Sequence, residues 1–89
     1  MNKHRFLGKL KNNQKNVRFA DFTALLEAFG FVRDRTKGSH INYRHGSISA
    51  LMNVQDAGGK AKPYQVRQFL DLLRKHDLKA EVKSAEIPH

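Results

Sequence analysis

The stretch that decides the fold is residues 31–55, which read FVRDRTKGSHINYRHGSISALMNVQ. Apolar and polar residues alternate over 40–45 and again over 48–55, which is the two-residue period of strands with one buried face. Glycines fall in the short breaks between these runs and are typical of tight turns. We therefore predict three strands, over 31–36, 40–45 and 48–55, in an antiparallel meander with one apolar face.

Helical periodicity flanks the predicted strands on both sides. Residues 19–29 have five apolar side chains on one helical face, and Gly30 follows as a C-terminal stop. Pro63 suits the first position of a second helix that runs to about His76 with its own apolar stripe. A short leading helix over 3–11 is an optional addition. The predicted fold is an α+β domain of order α-β-β-β-α, with both main helices on the apolar face of a three-stranded antiparallel sheet.

The chain of 89 residues is long enough for one domain with a thin core. We divide it into a basic leader over 1–16, a folded domain over 17–78 and a loosely held polar tail over 79–89. Cysteine is absent, which excludes disulfides and thiolate metal sites and suits a reducing cytosol, so we expect a cytoplasmic protein. No apolar run approaches the roughly 18 residues that span a bilayer, and the leader lacks the apolar core of a secretory signal.

Positive charge is the strongest feature of the composition, because seventeen Lys and Arg against eight Asp and Glu give a net charge of +9. A small domain this basic is typical of proteins that bind polyanions, most often nucleic acid. An acidic protein partner, or no such partner, is the alternative. Residues 1–18 carry six of the bases and no acid. This segment can contact phosphate or an acidic partner, or it can be a solvated, partly mobile arm.

The solvent face of the predicted sheet is a candidate surface for phosphate contact. Its fringe is basic, and the loop over 56–62 is predicted to be flexible and basic, with two glycines that allow close backbone approach. Loop cations of this kind are also common where they are merely solvated. The basic residues in question are Arg33, Arg35, Lys37, Arg44, Lys60 and Lys62.

The segment Lys37-Gly38-Ser39-His40 is the sharpest chemical feature of the chain. RNA can be cut without a metal because its own 2′-hydroxyl is the nucleophile, and the enzyme then supplies a base, an acid and cations. Imidazole titrates near neutral pH and can take or give the proton. The alternative is a turn histidine that bonds to nearby backbone. His45 lies roughly 16 Å further along the same predicted strand, which argues against a histidine pair.

The remaining histidines, at 4, 45, 76 and 89, are expected at the surface. No pair of them has the spacing and the acidic neighbours of a metal site, so we predict no bound metal. No carboxylate pair and no nucleotide-binding glycine loop is present, and no cofactor is expected.

Three segments carry a resemblance to a known family: LLEAFGF at 25–31, GSHINY at 38–43 and GKAKPYQVRQFL at 59–70. With the helix opening Val17-Arg-Phe19, they stand in the order and spacing of the HicA family of toxin–antitoxin mRNA interferases. The resemblance covers residues 17–78, and the longer leader is similar to that of HicA proteins with an extra N-terminal helix.

The resemblance implies a fold like that of double-stranded-RNA-binding domains and metal-independent cleavage of mRNA outside the ribosome, which blocks translation. His40 falls on the family's catalytic histidine, and Gly38 and Ser39 fall on the turn that presents it. The implied partner is a HicB-type antitoxin, whose partly degraded RNase H-like domain covers the active site. We assign catalysis to His40 and RNA contact to Lys37, Gly38, Ser39, Arg44, Lys60 and Lys62.

Two departures from the family pattern concern the catalytic helper. Asn53-Val54-Gln55 stands where many members carry a proline and a histidine, and only the first histidine of a common histidine pair is present at 40–41. The second catalytic group is therefore unassigned. The competing hypotheses are a ribonuclease toxin, a non-catalytic module that binds duplex RNA, and a protein-interaction domain whose charge serves an acidic partner.

Overall fold

A computed structural model of the chain describes residues 3–49 and 51–78. The elements in chain order are α1 (Lys3–Asn12), α2 (Phe19–Ala28), β1 (Phe31–Lys37), β2 (His40–His45), β3 (Leu51–Gln55) and α3 (Pro63–His76). The predicted α+β class and α-β-β-β-α order are confirmed, and the optional leading helix is present as α1. The tail predicted over 79–89 lies outside the described residues. No helix within the described ranges is long and apolar enough to cross a membrane.

The three strands form one antiparallel sheet in the order β1-β2-β3, with β2 in the centre. Ile41 and Tyr43 of β2 point into the core, as the alternation predicts. Their neighbours along the strand point the other way, onto a surface that none of the three described helices covers. This surface is called the open face below. It consists of Val32, Asp34, Arg35, Lys37, His40, Asn42, Arg44, Leu51, Asn53 and Gln55.

The core lies between the sheet and the helices, where α2 contacts β1 and α3 contacts β3. The Phe69 ring stands at its centre and meets the rings of Phe22, Phe29 and Phe31 edge to face, with centroids 5.7–6.2 Å apart. Such aromatic pairs add specific geometry to the burial of apolar area. The buried apolar residues are Leu10, Val17, Phe22, Leu25, Leu26, Ala28, Phe29, Phe31, Ile41, Tyr43, Met52, Val54, Ala61, Val66, Phe69 and Leu73.

The two main helices begin and end at the signals that the sequence carries. Asp21 lies in the first turn of α2, where the helix dipole favours a negative charge. Gly30 takes a φ of 92° directly after α2, a conformation that favours glycine. Pro63 opens α3, and Asp77 closes it in the left-handed region.

The leader is part of the folded domain. Leu10 of α1 is 1% exposed and belongs to the common core, and Phe6 and Leu7 contact the core from the same helix. The Gln14 side-chain amide donates to the Leu10 carbonyl at 2.6 Å, which satisfies an acceptor near the helix end. A solvated arm, one of the two interpretations of the leader, is therefore wrong for this segment.

The loop over 56–62 is held by hydrogen bonds, although the sequence predicts a flexible segment. Within the loop, Gly59 N donates to Asp56 Oδ1 at 2.6 Å. The loop also bonds to the segment before α2, because Phe19 N donates to the Gly59 carbonyl and Ala61 N donates to the Val17 carbonyl. These contacts tie the loop to the start of α2.

His45 is buried and 8% exposed, so the expectation that it lies at the surface is wrong. The alternation that turns Ile41 and Tyr43 inward also turns His45 inward. Its Nε2 donates to the Phe29 carbonyl at 2.9 Å, and its Nδ1 accepts from Ser47 N at 3.0 Å. Both ring nitrogens thus have hydrogen-bond partners, and His45 binds the backbone at the C-terminal end of α2 to the sheet. His4 and His76 are exposed as predicted, and His89 lies outside the described residues.

Strand β3 begins at Leu51, three residues later than the predicted 48–55. The chain over 46–49 forms a turn and a bend instead of a ladder, with Ser47 N engaged by His45. Ile48 still contacts the core from this connection, which explains why the apolar alternation extends beyond the strand itself.

Candidate active site

A two-residue turn places His40 at one edge of the open face. Gly38 and Ser39 join β1 to β2, and Lys37 pairs with His40 across the turn. Gly38 has a φ of 61°, which lies in the left-handed region that favours glycine. His40 is therefore the first residue of a strand whose position is set by two neighbouring strands.

The His40 side chain is exposed and donates a hydrogen bond from Nδ1 to the Asn53 Oδ1 atom at 3.0 Å. Asn53 in turn donates from Nδ2 to Asn42 Oδ1 at 2.6 Å. The bonds run across β2 and β3 on the open face. This arrangement holds the imidazole against the sheet by a side chain, whereas the alternative interpretation expects a bond to nearby backbone.

A β-bulge in β1 decides which basic residues stand beside His40. The register shifts between Arg33 and Arg35, which pair with Tyr43 and Asn42 respectively. Cross-strand partners share a face, so Arg35 lies on the open face and Arg33 lies on the side of the buried Tyr43. Without the bulge, the two arginines would share one face.

A shallow depression on the open face collects the charged and polar groups around His40. Two cations lie in its wall, so an anion that settles there meets positive charge next to an imidazole. The lining residues are Arg35, Lys37, Gly38, His40, Asn42 and Asn53.

Ser39 belongs to a second cleft, between the turn and the loop over 56–62. Its hydroxyl oxygen accepts from Gln55 Nε2 at 3.4 Å, and its carbonyl accepts from Asp56 N at 3.1 Å. Gly38 and Ser39 line this cleft together with Gly58 and Gly59. The turn that presents His40 and the glycines of the loop are therefore neighbours.

Three of the basic residues assigned to RNA are engaged or placed elsewhere. Arg44 lies at the other end of β2, with Nε 3.7 Å from the Asp34 carboxylate. The Lys60 ammonium donates to Asn16 Oδ1 at 3.0 Å, and Lys62 is the residue before α3. None of these three lines the depression that contains His40.

Arg33, also among the fringe cations, takes part in a partly buried chain of hydrogen bonds on the helical side of the sheet. It donates to the hydroxyl of the fully buried Tyr43 at 3.3 Å, and that hydroxyl donates to Glu27 Oε2 at 3.0 Å. Burial raises the pKa of the Tyr43 phenol, and the bond to Glu27 raises that pKa further, against the opposing effect of Arg33. This chain of bonds connects α2 to the sheet and has a structural role.

Sequence reasoning missed three members of the site: Asn42, Asn53 and, as a site residue, Arg35. Alternation places Asn42 and Asn53 on the open face, but only the register of β2 with β3 brings them opposite each other. The signal for Arg35 was its position in the basic fringe, and the bulge that separates it from Arg33 has no glycine to mark it.

The arrangement is suited to moving a proton beside a bound anion. It offers an exposed imidazole, two cations and a fixed hydrogen-bond partner for one ring nitrogen. Within the described ranges, no three histidine or acidic side chains lie close enough together to hold a metal ion.

A protein-family model matches most of the chain. It is described as the HicA toxin of bacterial toxin–antitoxin, and it matches residues 19–78, which are 60 of the 89 residues. The match begins at the first residue of α2 and ends two residues after α3, so it contains the whole sheet and the His40 turn. No curated protein and no solved structure matches the chain at a significant level.

Proposed function

Since the chain belongs to the HicA family of bacterial toxin–antitoxin toxins, we propose that it is a metal-independent endoribonuclease that cleaves mRNA and so inhibits translation. His40 is the proposed general acid or base. The observation that carries the proposal is the exposed imidazole on the open face, bonded to Asn53 and flanked by Arg35 and Lys37. The toxin would act in the cytoplasm, where mRNA is found.

The proposed chemistry uses only groups of the RNA and the protein. The His40 imidazole removes the proton of a 2′-hydroxyl, and the 2′-oxygen attacks the adjacent phosphorus. The bond from phosphorus to the 5′-oxygen breaks, and that oxygen takes up a proton. The fragments end in a 2′,3′-cyclic phosphate and a 5′-hydroxyl. Arg35 and Lys37 stabilise the extra negative charge of the phosphorane.

The RNA contacts proposed from the sequence divide into two groups on this structure. Lys37, Gly38 and Ser39 adjoin His40 and are proposed to hold the phosphate that is cleaved. Lys60 and Lys62 lie in the loop over 56–62, next to the turn, and are proposed to contact the RNA beyond that phosphate, as is Arg44 at the far end of β2. The likeness to double-stranded-RNA-binding domains is part of the same proposal.

The decisive experiment is cleavage of a long labelled RNA in EDTA by wild type and by His40→Ala. His76→Ala is the matched control, because His76 is exposed but lies at the end of α3. We expect wild type and His76→Ala to cleave the RNA to 2′,3′-cyclic phosphate ends and His40→Ala to be inactive, with equal circular dichroism spectra. Equal cleavage by His40→Ala would reject the role of His40.

The second candidate function is a non-catalytic module that binds duplex RNA, favoured by the basic open face. It predicts that all three proteins bind duplex RNA in a salt-sensitive manner and that none of them cleaves it at any concentration. The same preparations therefore separate the two candidates.

The proposed partner is a HicB-type antitoxin that covers the open face. Val32 and Leu51 are 50% and 68% exposed there and flank Arg44 across the three strands. A partner that covers the open face would bury both apolar side chains, which is favourable for association. We expect Leu51→Ser, which removes the apolar side chain without adding a charge, to weaken antitoxin binding at least tenfold and to leave RNA cleavage without antitoxin intact. Tyr64→Ser, at an exposed site outside the open face, should leave both unchanged.

A further inference from the structure

Asn53 makes two side-chain hydrogen bonds on the open face, and each uses a different atom of its amide. The oxygen faces His40 Nδ1 at 3.0 Å, and the nitrogen donates to Asn42 Oδ1 at 2.6 Å. Asn53 lies on β3 directly opposite Asn42 of β2, so the strand register itself brings the three side chains together.

The orientation of the Asn53 amide, with Oδ1 toward His40 and Nδ2 toward Asn42, determines which ring nitrogen carries the hydrogen. An amide oxygen only accepts, so the contact with Asn53 requires a hydrogen on His40 Nδ1. A neutral imidazole with its hydrogen on Nδ1 has its lone pair on Nε2. In free histidine the opposite tautomer, with the hydrogen on Nε2, is the favoured one.

We propose that Asn53 is a positioning residue that holds neutral His40 in the Nδ1–H tautomer, so that Nε2 is the atom that takes the 2′-hydroxyl proton. The inference rests on the proposed ribonuclease function for its consequence, but the tautomer itself is a property of the free protein. After Nε2 gains the proton, Nδ1 still carries its hydrogen, and the bond to Asn53 persists through the transfer.

The backbone of Asn53 is fixed to the core on the opposite side of the strand. Gln65, in the first turn of α3, is 2% exposed and donates from Nε2 to the Asn53 carbonyl at 2.9 Å. Its Oε1 accepts from Gln55 N at 3.1 Å. A buried side chain with both amide atoms engaged holds the strand on either side of Val54, so the Asn53 side chain projects from a fixed base.

A neutral partner for the histidine suits a site that binds phosphate. A carboxylate at this position would also accept from Nδ1 and would select the same tautomer, but it would add a negative charge next to the bound RNA. The amide selects the tautomer and leaves the positive charge of Arg35 and Lys37 intact. Removing the amide of Asn53 and replacing it with a carboxylate should therefore have different effects on kcat and KM.

The first test is NMR of the histidine side chains in the free protein, under conditions where the imidazoles are neutral. We expect long-range ¹H–¹⁵N correlations to show the hydrogen of His40 on Nδ1 in wild type and predominantly on Nε2 in Asn53→Ala. His76 serves as the internal control and should not change. A wild-type His40 with its hydrogen on Nε2 would overturn the inference, whether or not the protein cleaves RNA.

The second test is steady-state cleavage of a short RNA by the same variants. Loss of a group that orients a metal-ligating histidine costs about 10–100-fold in activity, and by analogy we expect Asn53→Ala to lower kcat by at least tenfold with little change in KM. Asn53→Asp should recover most of kcat and raise KM, because it restores the acceptor and adds a negative charge. Equal kcat values for wild type and Asn53→Ala would reject the positioning role. Inactive wild type would instead reject the proposed function, and the NMR result would still decide the tautomer.

Discussion

At the scale of single residues, Gly38 shapes the turn that sets the position of His40, the catalytic candidate. Its φ of 61° is unfavourable for a residue with a Cβ, by roughly 1–2 kcal/mol. Apart from its two chain neighbours, no atom of residues 3–49 and 51–78 lies within 4 Å of an added Cβ, so the cost comes from backbone strain and not from a clash. We expect Gly38→Ala to lower the free energy of unfolding by about 1 kcal/mol and to reduce RNA cleavage by displacing His40, as measured by urea denaturation and the cleavage assay.

Gly46 provides the matched control for Gly38. It lies in the other turn of the sheet, it also has open space around an added Cβ, and its φ is not positive. Gly46→Ala should therefore change neither stability nor cleavage by much. If both variants lose the same stability, the left-handed backbone at Gly38 is not what makes that turn sensitive.

The buried Tyr43 leads to a prediction of how the stability of the fold depends on pH. Burial and the bond to Glu27 raise its pKa above the ordinary value of about 10, so the folded state holds the phenol proton more tightly than the unfolded state. This contribution to stability is complete below pH 10 and is lost as the pH rises through the raised pKa. We expect wild type to lose more stability between pH 8 and pH 11 than Tyr43→Phe does.

The measurement for Tyr43 is the urea midpoint at both pH values. Tyr64→Phe is the control, because it removes an exposed phenol that accepts one bond from Gln65 Nε2 at 3.2 Å, and its alkaline loss of stability should match that of wild type. At pH 8 the Tyr43→Phe variant loses two hydrogen bonds and should be less stable by about 1 kcal/mol or more. An equal alkaline loss in all three proteins would show that Tyr43 does not carry it.

The residues of the site differ in how far sequence could predict them. His40 is visible because a turn, a strand start and a family motif coincide at one position. Asn53 has no such signal, since an asparagine on the solvent face of a strand is ordinary. Only the pairing of β2 with β3 brings Asn53 opposite Asn42 and close to His40. That register depends on β3 beginning at Leu51, three residues later than predicted.

At the scale of elements, periodicity predicted the helices and strands, and local irregularities escaped it. The apolar faces of α2 and α3 are regular, and their caps are strong signals. The bulge in β1 lies in a run of charged residues, where no apolar alternation marks a change of face. The polar residue type of His45 predicts exposure, but the side chain follows the alternation of β2 and is buried.

The bulge predicts different consequences for the two arginines that flank it. Arg35→Ala should remove one phosphate contact and lower the slope of log binding constant against log salt by about 0.7 for single-stranded RNA. Arg33→Ala should leave that slope unchanged and lower stability, because Arg33 bonds to the buried Tyr43. RNA titrations over a range of salt concentrations, in a His40→Ala background to prevent cleavage, measure the slopes. Identical slopes for both variants would contradict the separation of their faces.

At the scale of the whole molecule, the protein has two basic surfaces with different neighbours. The open face carries Arg35 and Lys37 beside His40. On the helical side, α1 and α3 share a groove with an apolar floor, and Lys11 and Arg67 are among the cations that line it. The net charge of +9 is therefore distributed over both sides of the sheet, and composition alone does not tell which side binds RNA.

Two double variants with the same net charge separate local contact from the overall field of the protein. Arg35→Ala with Lys37→Ala, and Lys11→Ala with Arg67→Ala, both lower the formal net charge from +9 to +7. If RNA lies on the open face, the first pair should lower the salt slope by about 1.4, because two phosphate contacts are lost, and the second pair should change it little. The titrations use His40→Ala protein and one single-stranded RNA.

Long-range attraction depends on total charge and is screened over about 10 Å at 0.1 M salt, so a purely global effect would weaken binding equally in both pairs. Equal weakening would therefore place the RNA on neither surface in particular, and a larger effect of the second pair would move the binding site to the groove between α1 and α3.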